Sequence, residues 1–136
     1  MAVKKTRNGG QWTESRFRSF IKSALRSASN RWPPKYETLK AARVEKGKYR
    51  CVGYNRSDHV VPVTIMHKRK RQRNIFVDHV VPVIPIGGFT SWDDCIERLF
   101  CEKKGLQVLC GTCHSAKTKQ EKEERKLHGK SPTEPN

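Results

Sequence analysis

The chain has 136 residues, 35% of them hydrophobic and 31% charged, with a formal net charge of +16 and a pI near 10.1. That allows one compact domain with a modest core and implies a polyanionic partner, nucleic acid ahead of an anionic membrane surface. No apolar run approaches the ~20 residues that cross a bilayer, and the basic N-terminus lacks the apolar stretch of a secretory signal, so the expectation is a cytoplasmic protein with no membrane partner.

The charge is uneven: residues 1–50 carry fourteen Lys and Arg but three Asp and Glu. Residues 1–11 hold Lys4, Lys5, Arg7, Gly9 and Gly10 and are expected to form a mobile tail. Thr13 is a suitable N-cap for a helix whose apolar residues Phe17, Phe20, Ile21, Ala24, Leu25 and Ala28 recur at helical spacing. Arg16, Lys22 and Arg26 lie off that stripe, which suggests an arm that docks by its apolar face and offers cations to a nucleic-acid backbone. Pro33–Pro34 should stop the helix after Trp32. A shorter helix is predicted from Tyr36 to Val44, with a break at Gly47.

From Tyr49 the pattern changes. Val60–Ile65 predicts a strand, Lys68-Arg69-Lys70-Arg71-Gln72-Arg73 a basic turn, and Asn74–Val81 the returning strand. A Pro- and Gly-rich loop follows from Pro82 to Thr90, then a helix over Trp92–Phe100 with Ser91 as cap. Leu106–Leu109 predicts a strand and Cys113–Leu127 a helix. Residues 129–136 are expected to be disordered. The division is therefore a basic helical extension over 1–48, a core over 49–127 and a tail over 128–136. Asp-His-Val-Val-Pro-Val occurs twice, at 58–63 and 78–83.

The chemically informative set is Asp78-His79, Cys110 with Cys113-His114, and Lys117-Thr118. A carboxylate and two imidazoles suit hydrolysis of a phosphodiester. A hard divalent cation neutralises the phosphate, and a histidine titrating near neutral pH takes a proton from water. Neighbours on a strand point to opposite faces, so Asp78 and His79 can share a site only where the strand bends. Cys110-x-x-Cys113 has spacing suited to tetrahedral metal binding. In a reducing cytosol the five cysteines are read as metal ligands or core residues rather than disulfides. For the basic run, with Lys68, Arg69, Lys70, Arg71 and Arg73, nucleic-acid contact is favoured over a merely solvated turn, and Lys117 is grouped with it.

The segments "VDHVVPV", "GGFTSWDDCIERLF" and "GLQVLCGTCHSAKTKQE", with "FIKSALRSASNRWPPKY" upstream, resemble the HNH endonucleases, specifically the small phage-type members. The resemblance implies an α+β protein: a ββα-metal nuclease core with an N-terminal helical extension, cutting DNA with Mg2+ or Mn2+. Asp78 and His114 are then the metal ligands and His79 the general base. It selects the second Asp-His copy and leaves Asp58-His59 without a catalytic role. Whether the enzyme nicks or makes double-strand cuts, and whether it is a monomer or homodimer, stays open. So does the rival reading, a non-catalytic basic DNA-binding module on the same fold.

Two departures stand out. The family's middle Asn is replaced by Gly105, so the brace of the catalytic loop must come from elsewhere. Members with a structural zinc carry two Cys-x-x-Cys pairs, but the first here reads Cys51-Val-Gly-Tyr54. Cys51, Cys110 and Cys113 remain as zinc ligands, with His59 or Cys101 as the fourth if the ion is present.

Overall fold

In the computed structural model, which describes residues 3–128, the chain opens on a hairpin. Strand β1 (Lys5–Arg7) pairs antiparallel with β2 (Trp12–Thr13). The expected mobile tail is thus partly ordered. Asn8, Gly9 and Gly10 all take positive φ and close the turn. Arg7 pairs with Glu14 at 3.0 Å and lies over the Phe17 ring.

Helix α1 (Glu14–Ser29) starts where its cap predicts: the Arg16 amide donates to Thr13 Oγ1 at 3.1 Å. Its apolar stripe is only half-covered. Phe20 remains 57% exposed beside Trp12, and Ser29 is the buried residue of the helix. The reason is that α1 leans on the opening hairpin and on a later short helix rather than on a sheet.

The two prolines open the next helix instead of closing the previous one. Helix α2 runs Pro33–Ala42, and both prolines sit in its first turn, where no intrahelical N–H is needed. Val44, expected at the end of this helix, lies in β3 (Arg43–Glu45). Strands β3, β4 (Lys48–Cys51) and β5 (His59–Pro62) form an antiparallel sheet in that order, spanning residues on both sides of position 48.

The single strand expected over Val60–Ile65 is divided. Val63 leaves β5, donates its amide to Gly47 and accepts from Asn74, and β6 (Thr64–His67) then enters a second sheet. Only Lys68 and Arg69 form the turn of the basic run, both at positive φ, as a two-residue hairpin requires. Lys70–Arg73 is strand β7, paired with β6.

Strand β8 (Ile75–His79) does not return against Val60–Ile65 either. Its partner is β9 (Leu106–Cys110), in antiparallel register from Ile75 opposite Cys110 to His79 opposite Leu106. The edge that β8 would have used on β6 is taken by β7. Between β8 and β9 lie helix α3 (Trp92–Leu99), capped by Ser91, and a 3-10 turn at Lys103–Gly105. Helix α4 (Gly111–His128) follows β9 directly, two residues before its expected start.

The architecture is mixed α+β with small antiparallel sheets. The buried residues include Cys51, Ile75, Leu99, Leu106, Val108, Leu109 and Cys113. A side chain as enclosed as Leu109 contributes about 1.5–3 kcal/mol by leaving water. Helix α2 packs over β9 and α1 against α3, so the N-terminal helices touch the elements that flank β8. Among the described residues, no helix is long and apolar enough to cross a membrane. The predicted disorder of 129–136 lies outside the described residues.

Candidate active site and metal centre

β8 and α4 converge because α4 begins immediately after β8's partner strand. Phe76 and Asp78 share one face of β8 by the two-residue strand period. His114, Lys117 and Glu121 share one face of α4 by the helical period. The His114 ring stacks on Phe76, with centroids 4.9 Å apart and planes at 19°. That contact holds His114 Nε2 3.8 Å from Asp78 Oδ1. The other carboxylate oxygen, Oδ2, accepts from Gln107 Nε2 at 3.0 Å and lies 3.1 Å from Lys117 Nζ. Gln107 is the residue directly opposite Asp78 in the β8–β9 register.

His79 ends β8, where regular pairing stops, and lines the same cleft as Asp78 and His114. Its Nε2 faces the Leu99 carbonyl at 2.9 Å, so Nε2–H is the donor and Nδ1 keeps the free lone pair. Burial pushes the His79 pKa below the usual histidine value; the Leu99 hydrogen bond opposes this, and the Lys35 charge reinforces it. The imidazole is therefore biased toward its neutral, proton-accepting form.

Lys117, expected among the DNA-contacting cations, is 7% exposed and inside this site. Its ammonium donates to the His79 carbonyl at 2.9 Å and to Glu121 at 2.6 Å, besides facing Asp78. Burial alone would lower its pKa; hydrogen bonds to Glu121 and Asp78 more than offset that and raise it. The charged lysine thus compensates two carboxylates at once.

The loop after β8 is held by two arginines that sequence reasoning did not single out. Arg98 Nη1 donates to the Pro82 carbonyl at 3.0 Å, while Arg125 donates to Ile84 and Pro85 at 2.8 and 2.9 Å. Both arginines thereby tie α3 and α4 to the backbone of the Pro82–Pro85 segment. A Cβ at Gly105 would meet Cys101 Sγ at 2.9 Å, so a larger residue there would require Cys101 to shift.

A second cluster lies on the opposite end of β9. Cys51, His59, Cys110 and Cys113 place their ligand atoms within 4.8 Å of one another, a set that could hold a metal ion. Cys51 and His59 are opposite residues of β4 and β5, and Cys110 and Cys113 straddle the β9–α4 junction. His59, not Cys101, completes the set. Its Nδ1 faces the Ser57 carbonyl at 3.1 Å, which leaves Nε2 free toward the sulfurs. Burial pushes the Cys51 thiol up to about 11. For Cys110 burial acts the same way, but the Cys113 amide and the His59 ring bring its thiol down to about 7. The two Asp-His copies therefore differ in setting: Asp58 pairs with Arg50 at 2.7 Å, while Asp78 faces the cleft.

The remaining predicted contact residues lie on the β6–β7 hairpin and on α1. Lys68, Arg69, Lys70 and Arg71 are exposed on the β6–β7 hairpin. Arg73 is exposed on β7 beside Phe76. Arg16 stacks over Trp12, Lys22 is half-buried on α1, and Arg26 lines the cleft. Comparison with family models, curated proteins and solved structures gives no match.

Proposed function

We propose that the protein is a metal-dependent HNH-type endonuclease that hydrolyses phosphodiester bonds in DNA. One observation carries this reading: Asp78, His79 and His114 line one cleft of about 480 Å³, with the imidazole of His114 3.8 Å from the Asp78 carboxylate. The succession β8–β9–α4 around these residues supports a ββα-metal core. Asp78 Oδ1 and His114 Nε2 face each other and would hold one divalent cation, Mg2+ or Mn2+. One carboxylate and one imidazole suit Mn2+ better than Mg2+, since magnesium prefers oxygen throughout. When bound, such an ion neutralises the scissile phosphate and stabilises the leaving oxygen.

The chain's own residues do the rest. His79 Nδ1 takes the proton from the attacking water, while the Leu99 carbonyl fixes the ring's orientation through Nε2. Gln107 and Lys117 hold Asp78 Oδ2, so Oδ1 stays turned toward His114. In the second cluster Cys51, His59, Cys110 and Cys113 would hold a structural Zn2+, since three thiolates and one imidazole make a closed tetrahedral set.

A non-catalytic basic DNA-binding module has one observation in its favour: the Lys117 ammonium lies 3.1 Å from Asp78 Oδ2 and supplies positive charge to that carboxylate itself. Supercoiled plasmid incubated with Mg2+, Mn2+ or EDTA separates the two. Nicked or linear product with the cations and none with EDTA is expected. Intact plasmid bound under all conditions would select the non-catalytic module.

A further inference from the structure

The site has a wall that its catalytic residues do not account for. The cleft holding Asp78, His79 and His114 adjoins a second depression of about 430 Å³, and Asn30, Lys35, Val77 and His114 line both. The two form one groove passing the His114 edge. Arg26 stands in the first part, Arg73 in the second, and Lys35 at the junction. The carboxylates lining the groove are Asp78 and Glu121, and Lys117 is bonded to both. Among the described residues, Arg26, Lys35 and Arg73 make no ion pair with a carboxylate.

Lys35 is also held in place. Its ammonium donates to Ser29 Oγ at 3.3 Å, and that buried hydroxyl donates to the Arg26 carbonyl at 2.7 Å. Arg26, Lys35 and Arg73, with Arg125 lining the same groove but bonded to the Ile84 and Pro85 carbonyls, repel one another, and an anion between them removes that cost. The Lys35 pKa reflects the crowding: burial lowers it first and the Arg26 charge next, with Cys101 opposing and Arg73 adding to the decrease.

We propose that Arg26, Lys35 and Arg73 form a phosphate track in which the backbone of a single DNA strand lies, flanking the bond presented to His79 and His114. The N-terminal helices are then a wall of the active site and not only a remote grip. Only the presentation of a scissile bond rests on the nuclease reading; the anion track itself is a binding site with or without cleavage.

The test uses a short single-stranded DNA oligonucleotide and full-length protein in EDTA, titrated by fluorescence anisotropy over a range of salt concentrations. Arg26→Gln, Lys35→Gln and Arg73→Gln are compared with Lys40→Gln, an exposed cation on the same helix as Lys35 but off the groove. Each groove variant should weaken binding, and its salt slope should fall by about one ion, as loss of one phosphate contact requires. Lys40→Gln should leave both unchanged. Melting temperatures identify any variant that has lost its fold, and Arg26, being exposed, gives a variant that keeps it. Wild-type affinity and slope in folded Arg26→Gln and Lys35→Gln protein would overturn the track, even if the plasmid is cut. Weakened binding in these variants, in a protein that never cuts the plasmid, would uphold the track and reject the nuclease reading.

Discussion

Asp78 has two oxygens in two settings. Oδ2 is committed to Gln107 and Lys117, while Oδ1 faces His114. Replacing Gln107 by Leu removes a neutral donor without changing any charge. The expected loss of stability is about 1 kcal/mol, the net worth of one hydrogen bond. On the proposed nuclease reading, cleavage should need more Mn2+ for half-maximal rate, because the carboxylate is no longer held in one rotamer; an unchanged metal titration would show that Gln107 only packs. If the proposed nuclease reading holds, His79→Ala should lower turnover by at least ~10²-fold with little change in DNA affinity, since it would remove the proton acceptor and no phosphate contact. Wild-type single-turnover rates in that variant would remove His79 from the chemistry. Lys117→Met leaves Asp78 and Glu121 facing each other uncompensated. It should cost about 1–3 kcal/mol, and Mn2+ should raise the variant's melting temperature more than that of the parent. Equal shifts would mean that lysine and metal do not share the carboxylate.

Among the elements, the β9–α4 junction contributes to both the candidate active site and the Cys/His cluster. Cys110 and Cys113 point to the Cys/His cluster, and His114, the next residue, turns to Asp78. The helical step of about 100° per residue separates neighbours so that one turn serves two sites. If the cluster binds zinc, purified protein should contain about one ion per chain, and a chelator should lower its melting temperature because the folded state alone assembles the ligands. Cys110→Ser should lose the ion. Protein that folds fully without metal would make these residues part of an ordinary core. His59 was one of two open choices for the fourth ligand, and pairing of β4 with β5 places it opposite Cys51. Cys101 lies instead beside Gly105, with its carbonyl accepting from Trp32.

Across the whole molecule, the N-terminal helices are joined to the core at several points. Trp32 Nε1 donates to the Cys101 carbonyl at 2.6 Å, Arg18 lies over Phe89, and α2 packs on β9. A truncation lacking residues 1–30 removes Arg26 and the buried Ser29 along with most of the basic arm. It should melt at a lower temperature and, on the proposed function, bind DNA with a shallower salt slope and remain slower than the parent at saturating DNA. A folded truncation with full single-turnover activity would show that the arm supplies affinity alone.

The local elements were the most legible part. Thr13 and Ser91 act as caps because an N-cap hydroxyl needs only the amide three residues on, a purely local condition. The short strand ahead of Cys110 is legible in the same way from its apolar run, whereas the α+β class is implied by the family resemblance. Pairing was not legible. Val60–Ile65 reads as one β-branched run, yet Val63 turns the chain from one sheet to another through backbone bonds that carry no sequence signal. Nor could the sequence say that β8 would take β9 as partner, and with it bring Gln107 onto Asp78. Composition shows that many cations are present. Which of them is enclosed, as Lys117 is by two carboxylates, and which face a groove without one, as Arg26, Lys35 and Arg73 do, is decided by packing. Caps and periods depend on residues a few positions apart, whereas a charge's environment depends on chains that meet only after folding.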